Sequence, residues 1–475
     1  MRKQNPSLLN RIPLPVLVGG WLALVVIGAV LVFAVFFNQP TGPKTATPIA
    51  ANPTQATGSN QPSAPQQPAA QPTQAAPQQP SQPTQPAQPA QPVATVDPRF
   101  GPDGLLPELP FGYGVQVNGI VGDPAVSIDL VDRLHARWIK QQVQWGVFEH
   151  EQGKMDFSGF DGIINAAHAN GVRVMLSIVT APQWTHPNLP ASNPPGENDP
   201  DAIKGPPDDP QAFANFVGQV IDRYKGKIQA IEVWNEQNLI REWRTTPQLI
   251  DAKRYVDLLR VTYQVIKQRD PSIIVISGAL SPTGVDDPAS AIDDFKYLQQ
   301  MLDAGLLDTV DCVGAHHNGY NIGPNVSSAD SPALPKAATA LFRGPFDNSK
   351  GAPHHSWFFK ETLQGYNSIL KGQKPLCVTE FGWASSEEYG AYPPGFEFAA
   401  DNTVAEQGQN IVEAYQLMQQ WGFVKLAFLW NLDYGVKGKG PTDDPVPYSL
   451  IKTDGSKRAS WDPVRLYLKQ VTGDN

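Results

Sequence analysis

Two glutamates in the sequence each follow an apolar run and stand close to a tryptophan. The stretch "IEVWNEQNL" (231–239) begins as an apolar strand and then reaches Asn235 and Glu236, and "PLCVTEFGW" (375–383) carries Glu380. Two carboxyl groups facing each other across a pocket can hydrolyse a glycosidic bond: the protonated one donates to the leaving oxygen and the ionised one attacks the anomeric carbon. The pair therefore predicts this chemistry, and the alternative is a polar strand end that simply meets solvent.

Other polar and aromatic residues end apolar runs in the same way. His316 and His317 close "VDCVGAHH" (310–317), and Trp430 and Asn431 close "VKLAFLWN" (424–431). A solvated rim would scatter Asp, Lys and Ser over both strand ends, and it would not set tryptophans beside carboxylates. We therefore expect these residues to share one functional face with the two glutamates.

The elements that would position these residues alternate between strand and helix. Apolar strands are predicted at 111–118, 137–145, 172–180, 228–236, 272–279, 310–317, 375–383 and 424–431. Continuous apolar strands separated by amphipathic helices indicate a parallel sheet that is buried on both faces. Eight such units in about 370 residues predict a (β/α)8 barrel, in which the active site lies at the carboxyl ends of the strands. An open doubly wound sheet is the alternative, and it is weakened because no glycine-rich turn follows the first strand.

The amino-terminal part of the chain has a different composition. Residues 1–11 are short and basic, and residues 12–37 carry no charge and are almost wholly apolar. About 20 apolar residues suffice to cross a bilayer, so we predict an uncleaved signal anchor, with a long cleaved signal peptide as the alternative. The preceding Arg2, Lys3 and Arg11 predict a cytoplasmic amino terminus and an extracellular remainder.

A linker separates this segment from the globular part. Residues 38–97 are rich in Pro, Gln, Ala and Thr, which predicts a disordered, extended spacer. Residues 98–475 form the predicted catalytic domain, which we expect to be monomeric.

Charge and cysteine content exclude some classes of partner. The formal net charge of −9 argues against a nucleic-acid partner, which would require a basic face. Two cysteines cannot form a disulfide framework, and no His/Cys cluster has zinc spacing, so neither a metal nor an organic cofactor is implied. Strand alternation places Cys312 inward and Cys377 outward, which predicts two buried free thiols.

The motifs around the two glutamates resemble a known group of enzymes. Trp-Asn-Glu at the end of strand four and Glu-Phe-Gly-Trp at the end of strand seven resemble the retaining glycoside hydrolases of the large (β/α)8 clan. "WNEQNLIREW" is similar to family 39, β-xylosidase-like enzymes and to cellulase-like family 5 enzymes. The resemblance covers about residues 110–470. It implies that Glu236 is the acid/base and Glu380 the nucleophile.

The resemblance also implies substrate contacts. Asn235 would bond the 2-hydroxyl of the attacked sugar, His316 would line the same subsite, and Trp430 would form its floor. Many relatives carry a tyrosine where this chain has Asn318, and Tyr320 is the expected replacement.

Further differences from these relatives concern the nucleophile and the acid/base. Relatives often carry an arginine on strand two near the nucleophile, where this chain offers Lys140 and Gln142, and a proline after the acid/base, where it has Gln237. Within strand four, Glu232 is predicted to be a buried ion-pair residue that binds Lys140 or Arg173.

Tryptophans near the strand ends are candidates for stacking on sugar faces. Trp145 and Trp383 are predicted to contact substrate in this way. Together these features predict a membrane-anchored extracellular enzyme that hydrolyses neutral, β-linked oligo- or polysaccharides. A carbohydrate-binding pseudoenzyme on the same barrel and a surface adhesion or scaffold protein are the alternatives.

Overall fold

The computed structural model of the chain describes residues 99–188, 205–245, 249–330, 333–334, 336 and 354–474. The predicted basic segment, signal anchor and linker lie outside these residues. Among the helices that are described, none is both long enough and apolar enough to cross a bilayer.

Eight strands alternate with helices along the described chain. The strands are β1 (Gly112–Gln116), β2 (Trp138–Gln144), β3 (Arg173–Val179), β4 (Ala230–Val233), β5 (Ile274–Ser277), β6 (Val313–Gly319), β7 (Leu376–Trp383) and β8 (Val424–Leu429). The helices are α1 (Pro124–Leu134), α2 (Trp145–Phe148), α3 (Ser158–Ala169), α4 (Pro210–Arg223), α5 (Ala252–Arg269), α6 (Asp294–Asp303), α7 (Phe359–Leu370), α8 (Val404–Trp421), α9 (Tyr434–Lys437) and α10 (Trp461–Thr472).

The strands form one parallel sheet that closes into a barrel. Their order is β5-β4-β3-β2-β1-β8-β7-β6. The two outer strands of this order meet through parallel bridges that join Ile276 to Cys312 and Leu280 to Ala315. The predicted (β/α)8 barrel is therefore confirmed, and the open doubly wound sheet is excluded because β5 and β6 are bonded to each other.

Local sequence signals account for the helix boundaries. Asp209 accepts a hydrogen bond from the backbone of Gln211, and Pro210 occupies the first turn of α4. At α8, Thr403 and Glu406 bond each other's backbone in a capping box, and the left-handed Gly422 follows the last turn. Such helices bury one apolar face against the barrel, which keeps the strands in a fixed arrangement.

The strand that carries the acid/base motif ends earlier than predicted. β4 stops at Val233, and Trp234 (φ 77°) and Glu236 (φ 44°) adopt left-handed backbone conformations. Non-glycine residues with positive φ are uncommon and often occur at functional sites. Glu236 is therefore set by a strained turn rather than by the strand itself, and its N–H bonds the carbonyl of Ala279 at 2.8 Å.

A bulge in β7 changes the direction of its side chains. Ala315 pairs with Val378, but His316 pairs with Glu380, so Thr379 is one extra residue on β7. Thr379 and Glu380 consequently both face the barrel interior. Their hydrogen bonds to Glu232 and Lys140, which project from other strands, confirm this direction.

The same bulge explains why the prediction of free thiols was wrong. Counting back from Glu380 with strict alternation turns Cys377 outward, but the extra residue shifts the alternation by one. Cys377 therefore faces inward and forms a disulfide with Cys312 on the neighbouring strand. Both cysteines are fully buried among apolar side chains of the barrel floor, which include Met175, Ile276 and Phe428.

This disulfide is expected to contribute measurably to stability. It links residues 65 positions apart, and cross-links of this span typically add about 2–5 kcal/mol to the free energy of unfolding. The double variant Cys312→Ala/Cys377→Ala should lose this amount in equilibrium denaturant unfolding. Wild-type protein that is reduced in denaturant and refolded with reductant should lose a similar amount, whereas reductant should not affect the double variant. Two free thiols in the denatured, unreduced wild type would contradict the assignment.

Candidate active site

The carboxyl ends of the strands surround a pocket of about 570 Å³. Six of the residues that the sequence predicts for the site line it: Asn235, Glu236, Asn318, Tyr320, Glu380 and Trp430. Its other lining residues are Gln142, Arg241, Glu242, Ser281, Gly395, Phe396, Phe398, Asp444 and Tyr448. The barrel therefore brings the two predicted glutamates into one cavity.

Glu236 is held by two cationic or hydrogen-bonding partners. Its Oε1 lies 3.2 Å from Nδ1 of His316, and its Oε2 accepts a 3.0 Å hydrogen bond from Nη2 of Arg241. His316 is almost completely buried beneath the pocket, whereas the Arg241 side chain is 60% exposed. The acid/base candidate thus contacts a buried imidazole on one side and an exposed guanidinium on the other.

Glu380 shares the imidazole and has its own lysine. Lys140 Nζ donates a 2.8 Å hydrogen bond to its Oε1, and Nδ1 of His316 lies 3.8 Å from its Oε2. Because the same Nδ1 contacts both carboxyl groups, Oε1 of Glu236 and Oε2 of Glu380 are at most about 7 Å apart. The carboxyl groups of retaining enzymes are about 5–5.5 Å apart, and those of inverting enzymes are about 6.5–9.5 Å apart.

The electrostatic environment of these groups follows from their contacts. Burial raises the pKa of Glu236, but the hydrogen bond from His316 and the charge of Arg241 outweigh it and hold that pKa well below its usual range. For His316, burial lowers the pKa, and the nearby Glu380 and Glu236 more than reverse this, so its pKa is raised. These contacts favour the ionised form of Glu236 and the protonated form of the His316 imidazole beside it.

Lys140, one of the two residues that stand where relatives carry an arginine on strand two, lies next to Glu380. Lys140 is fully buried and contacts both Glu380 and Glu232, as predicted for Glu232. Arg173 instead donates a hydrogen bond to the carbonyl oxygen of Leu106, so it is not the partner of Glu232.

Two tryptophans that the sequence predicts as substrate contacts lie outside the pocket. Trp145 and Trp383 are each 1% exposed. The Trp145 ring stacks on Phe216, and Trp383 donates its indole N–H to the carbonyl of Ile322. Both rings pack in the core next to the helices and do not line the pocket, so the prediction that they touch a sugar is corrected.

Trp430 does line the pocket, and the peptide bond that joins it to Asn431 is cis. Sequence reasoning missed several other lining residues. Arg241 lies inside the quoted motif "WNEQNLIREW", so it could have been noticed. Phe396, Asp444 and Tyr448 come from loops whose sequences have no periodic signal that would place them.

One group in the described residues has the composition of a metal site. Ligand atoms of Asp293, His354 and His355 lie within 4.8 Å of one another. His354 Nε2 already contacts Asp293 at 3.1 Å, and His355 Nε2 contacts the buried Asp294 at 3.0 Å. Ordinary His–Asp pairs therefore account for this cluster, which is separate from the pocket lining.

Comparisons with known proteins point to the class that the motifs resemble. A family model for β-galactosidases, glycoside hydrolase family 42, matches residues 125–205. The structure is similar to a family 39 glycoside hydrolase from the gut symbiont Bacteroides cellulosilyticus WH2, with 18% identity over 78% of this chain and 65% of that chain and a TM-score of 0.51.

Two further solved structures are similar at lower scores. A β-galactosidase from the psychrophilic Marinomonas ef1 has 11% identity, covers 76% of this chain and 59% of its own, and has a TM-score of 0.49. A family 5 mannosidase from Rhizomucor miehei has 12% identity, 77% and 95% coverage and a TM-score of 0.48. The chain thus spans less than two thirds of the family 39 enzyme and of the β-galactosidase. The family model matches residues 125–205 only, and the similarity to the family 39 enzyme lies in the (β/α)8 barrel fold that the sequence predicted.

The contact between His316 and Glu236 predicts a specific pH dependence of stability. Because the pKa of Glu236 is lower in the folded protein, its ionisation stabilises the fold above the unfolded-state pKa of about 4.3, and this stabilisation is lost as pH falls. The raised pKa of His316 stabilises the fold below about 6.5, and this is lost as pH rises through the folded value. The destabilisation caused by His316→Asn should therefore be largest between about pH 4.3 and 6.5, as measured by urea unfolding across pH.

His317→Asn is the matched control for this measurement. Burial lowers the pKa of His317 to about 3, so its neutral form is favoured and it opposes folding in acid. Acidification should therefore reduce the cost of His317→Asn. Parallel pH profiles for the two variants would contradict the assigned charge states.

Proposed function

We propose that this chain is a retaining glycoside hydrolase that cleaves β-linked bonds of a neutral oligo- or polysaccharide. The observation that carries the proposal is the single imidazole of His316, which contacts both Glu236 and Glu380 in a pocket at the mouth of the barrel. It limits the separation of the two facing oxygens to at most about 7 Å, which includes the retaining spacing and only the lower end of the inverting range.

The proposed first step forms a covalent bond to Glu380. Its ionised carboxylate, oriented by Lys140, attacks the anomeric carbon while Glu236 gives its proton to the leaving oxygen. In the second step Glu236 accepts a proton from water, and that water displaces the Glu380 ester. Asn235 and Trp430 line the same pocket, where they could bond a sugar hydroxyl and pack on its ring.

Glu236 must gain a proton before it can act as an acid. The contacts with His316 and Arg241 favour its ionised form. The Arg241 side chain is largely exposed, so a leaving-group sugar that enters beside Glu236 can displace it. This displacement would remove one interaction that lowers the pKa of Glu236 and would favour its protonated state when substrate is present.

The charge of the pocket favours a neutral substrate. Among the described residues that line it, four are acidic (Glu236, Glu242, Glu380 and Asp444) and one, Arg241, is basic. An anionic sugar would be repelled by this excess of carboxylates. The proposed substrates are therefore neutral, β-linked glycans.

We further propose that the enzyme acts outside the cell, held at the membrane by residues 12–37 and spaced from it by residues 38–97. The buried Cys312–Cys377 disulfide is consistent with an oxidising compartment.

Chemical rescue of an acid/base variant tests the role of Glu236. Glu236→Ala should lose about 10²–10⁴-fold in activity on natural glycans but least in the glycosylation step of dinitrophenyl glycosides, whose leaving group needs little protonation. Azide attacks the glycosyl enzyme without a general base, so it should restore turnover and yield a β-glycosyl azide. Steady-state kinetics with and without azide measures this. Glu242→Ala, which removes another pocket carboxylate, should show no azide rescue.

The nucleophile and the stereochemistry are tested separately. Glu380→Ala should abolish turnover of every substrate by the covalent route, because the bond to the enzyme can no longer form, and any product that azide yields should be the α-glycosyl azide of direct displacement. NMR of the first product formed by the wild type should show the β-anomer, the configuration of the substrate. An α-anomer as first product would overturn the retaining mechanism, full activity of both glutamate variants would overturn the assigned roles, and a wild type that hydrolyses no glycoside would leave the pseudoenzyme as the better description.

A further inference from the structure

A buried lysine is shared by two carboxylates in the centre of the barrel. Lys140 is fully buried, and its Nζ lies 2.8 Å from Oε1 of Glu380 and 3.5 Å from Oε2 of Glu232. Glu232 is also fully buried and does not line the pocket. It therefore cannot touch a substrate, and the ion pair with Lys140 links its charge to Glu380.

The remaining contacts of Glu232 fix its position. Its Oε1 accepts hydrogen bonds from the Thr379 hydroxyl at 2.6 Å and from the Ala279 N–H at 3.3 Å. Its Oε2 accepts no hydrogen bond from the described residues, and Lys140 is the cation it faces. The carboxylate is thus anchored on one side and left to interact electrostatically with Lys140 on the other.

The proposed reaction changes the charge on one partner of Lys140 but not on the other. Before reaction, Glu380 is an anion. Once its oxygen has bonded the anomeric carbon, and the leaving group has departed with the proton from Glu236, Glu380 is a neutral ester. A lysine this deeply buried would then lack its nearer counter-ion, and an unpaired buried charge is costly.

We propose that Glu232 is the permanent counter-ion of Lys140, a positioning residue that sets the balance between formation and hydrolysis of the covalent intermediate. This inference rests on the proposed retaining mechanism. Glu232 shares Lys140 while Glu380 is ionised, which limits how strongly the lysine stabilises the free nucleophile. It then neutralises Lys140 alone while Glu380 is an ester.

Removing this charge should act in opposite directions on the two steps. In Glu232→Gln, Lys140 pairs with Glu380 alone, which stabilises the carboxylate relative to the ester. Glycosylation should slow and hydrolysis of the intermediate should accelerate, so the ratio of their rate constants should fall by about tenfold. The burst of dinitrophenolate measured by stopped flow with a dinitrophenyl glycoside gives this ratio.

Two controls separate the electrostatic role from a structural one. Thr379→Val removes a hydrogen bond from Glu232 but keeps its charge, so it should lower stability without changing the ratio. In the Lys140→Met background, adding Glu232→Gln should leave the ratio unchanged, because the residue through which Glu232 acts is absent. If Glu232→Gln lowers both rate constants equally, or has the same effect in both backgrounds, the inference is overturned.

Further outcomes keep the test decisive. If Glu232→Gln does not fold, Glu232→Asp is measured instead, because it retains the charge. A ratio of the glycosylation rate constant to the hydrolysis rate constant within about twofold of wild type then supports the inference. A fall of about tenfold in that ratio overturns it. The wild type provides a separate check on the proposed function. If it shows neither a burst nor a glycosyl-enzyme mass on Glu380, the retaining mechanism itself fails. A trapped intermediate with an unchanged ratio in Glu232→Gln overturns only the role of Glu232.

Discussion

The site depends on the compensation of charges that the barrel removes from water. A series of contacting charged and polar side chains leads from the barrel interior to the pocket, in the order Glu232, Lys140, Glu380, His316 and Glu236. Each carboxylate in this series contacts a cationic or imidazole group. Removing one partner from such a buried pair is strongly destabilising, because the other is left uncompensated. The arrangement therefore holds both candidate catalytic carboxylates in fixed positions before any substrate binds.

Strand geometry decides which side chains join this series. Lys140 and Glu232 face inward because each lies two residues beyond an inward-facing residue of the barrel floor, Trp138 and Ala230 respectively. Glu380 joins them only because Thr379 is an extra residue in β7. One bulge thus accounts for the inward direction of Glu380, of the hydroxyl that anchors Glu232 and of the cysteine on the same strand.

The opposite wall of the site is built by backbone that leaves the regular barrel. Trp234 and Glu236 take left-handed conformations directly after β4, and Arg241 returns from the same loop to Glu236. Arg241 on this side is exposed, whereas Lys140 on the other side is fully buried. This asymmetry suits a pair in which one carboxyl group must exchange protons during the reaction and the other must remain ionised until it forms a bond.

Apolar periodicity and the polar residues at strand ends were sufficient to predict the barrel and the meeting of the two glutamates, because these depend on local pattern and on the shared direction of parallel strands. For Glu232 the sequence predicted a buried ion pair with Lys140 or Arg173, and the structure decided for Lys140. Only the tertiary structure decided the inward turn of Cys377, the burial of Trp145 and Trp383 and the arrival of Arg241 and Asp444 at the pocket. A bulge is a property of the register between two strands, and loop positions depend on what the loops pack against. Neither the register nor the packing leaves a periodic trace in a single sequence.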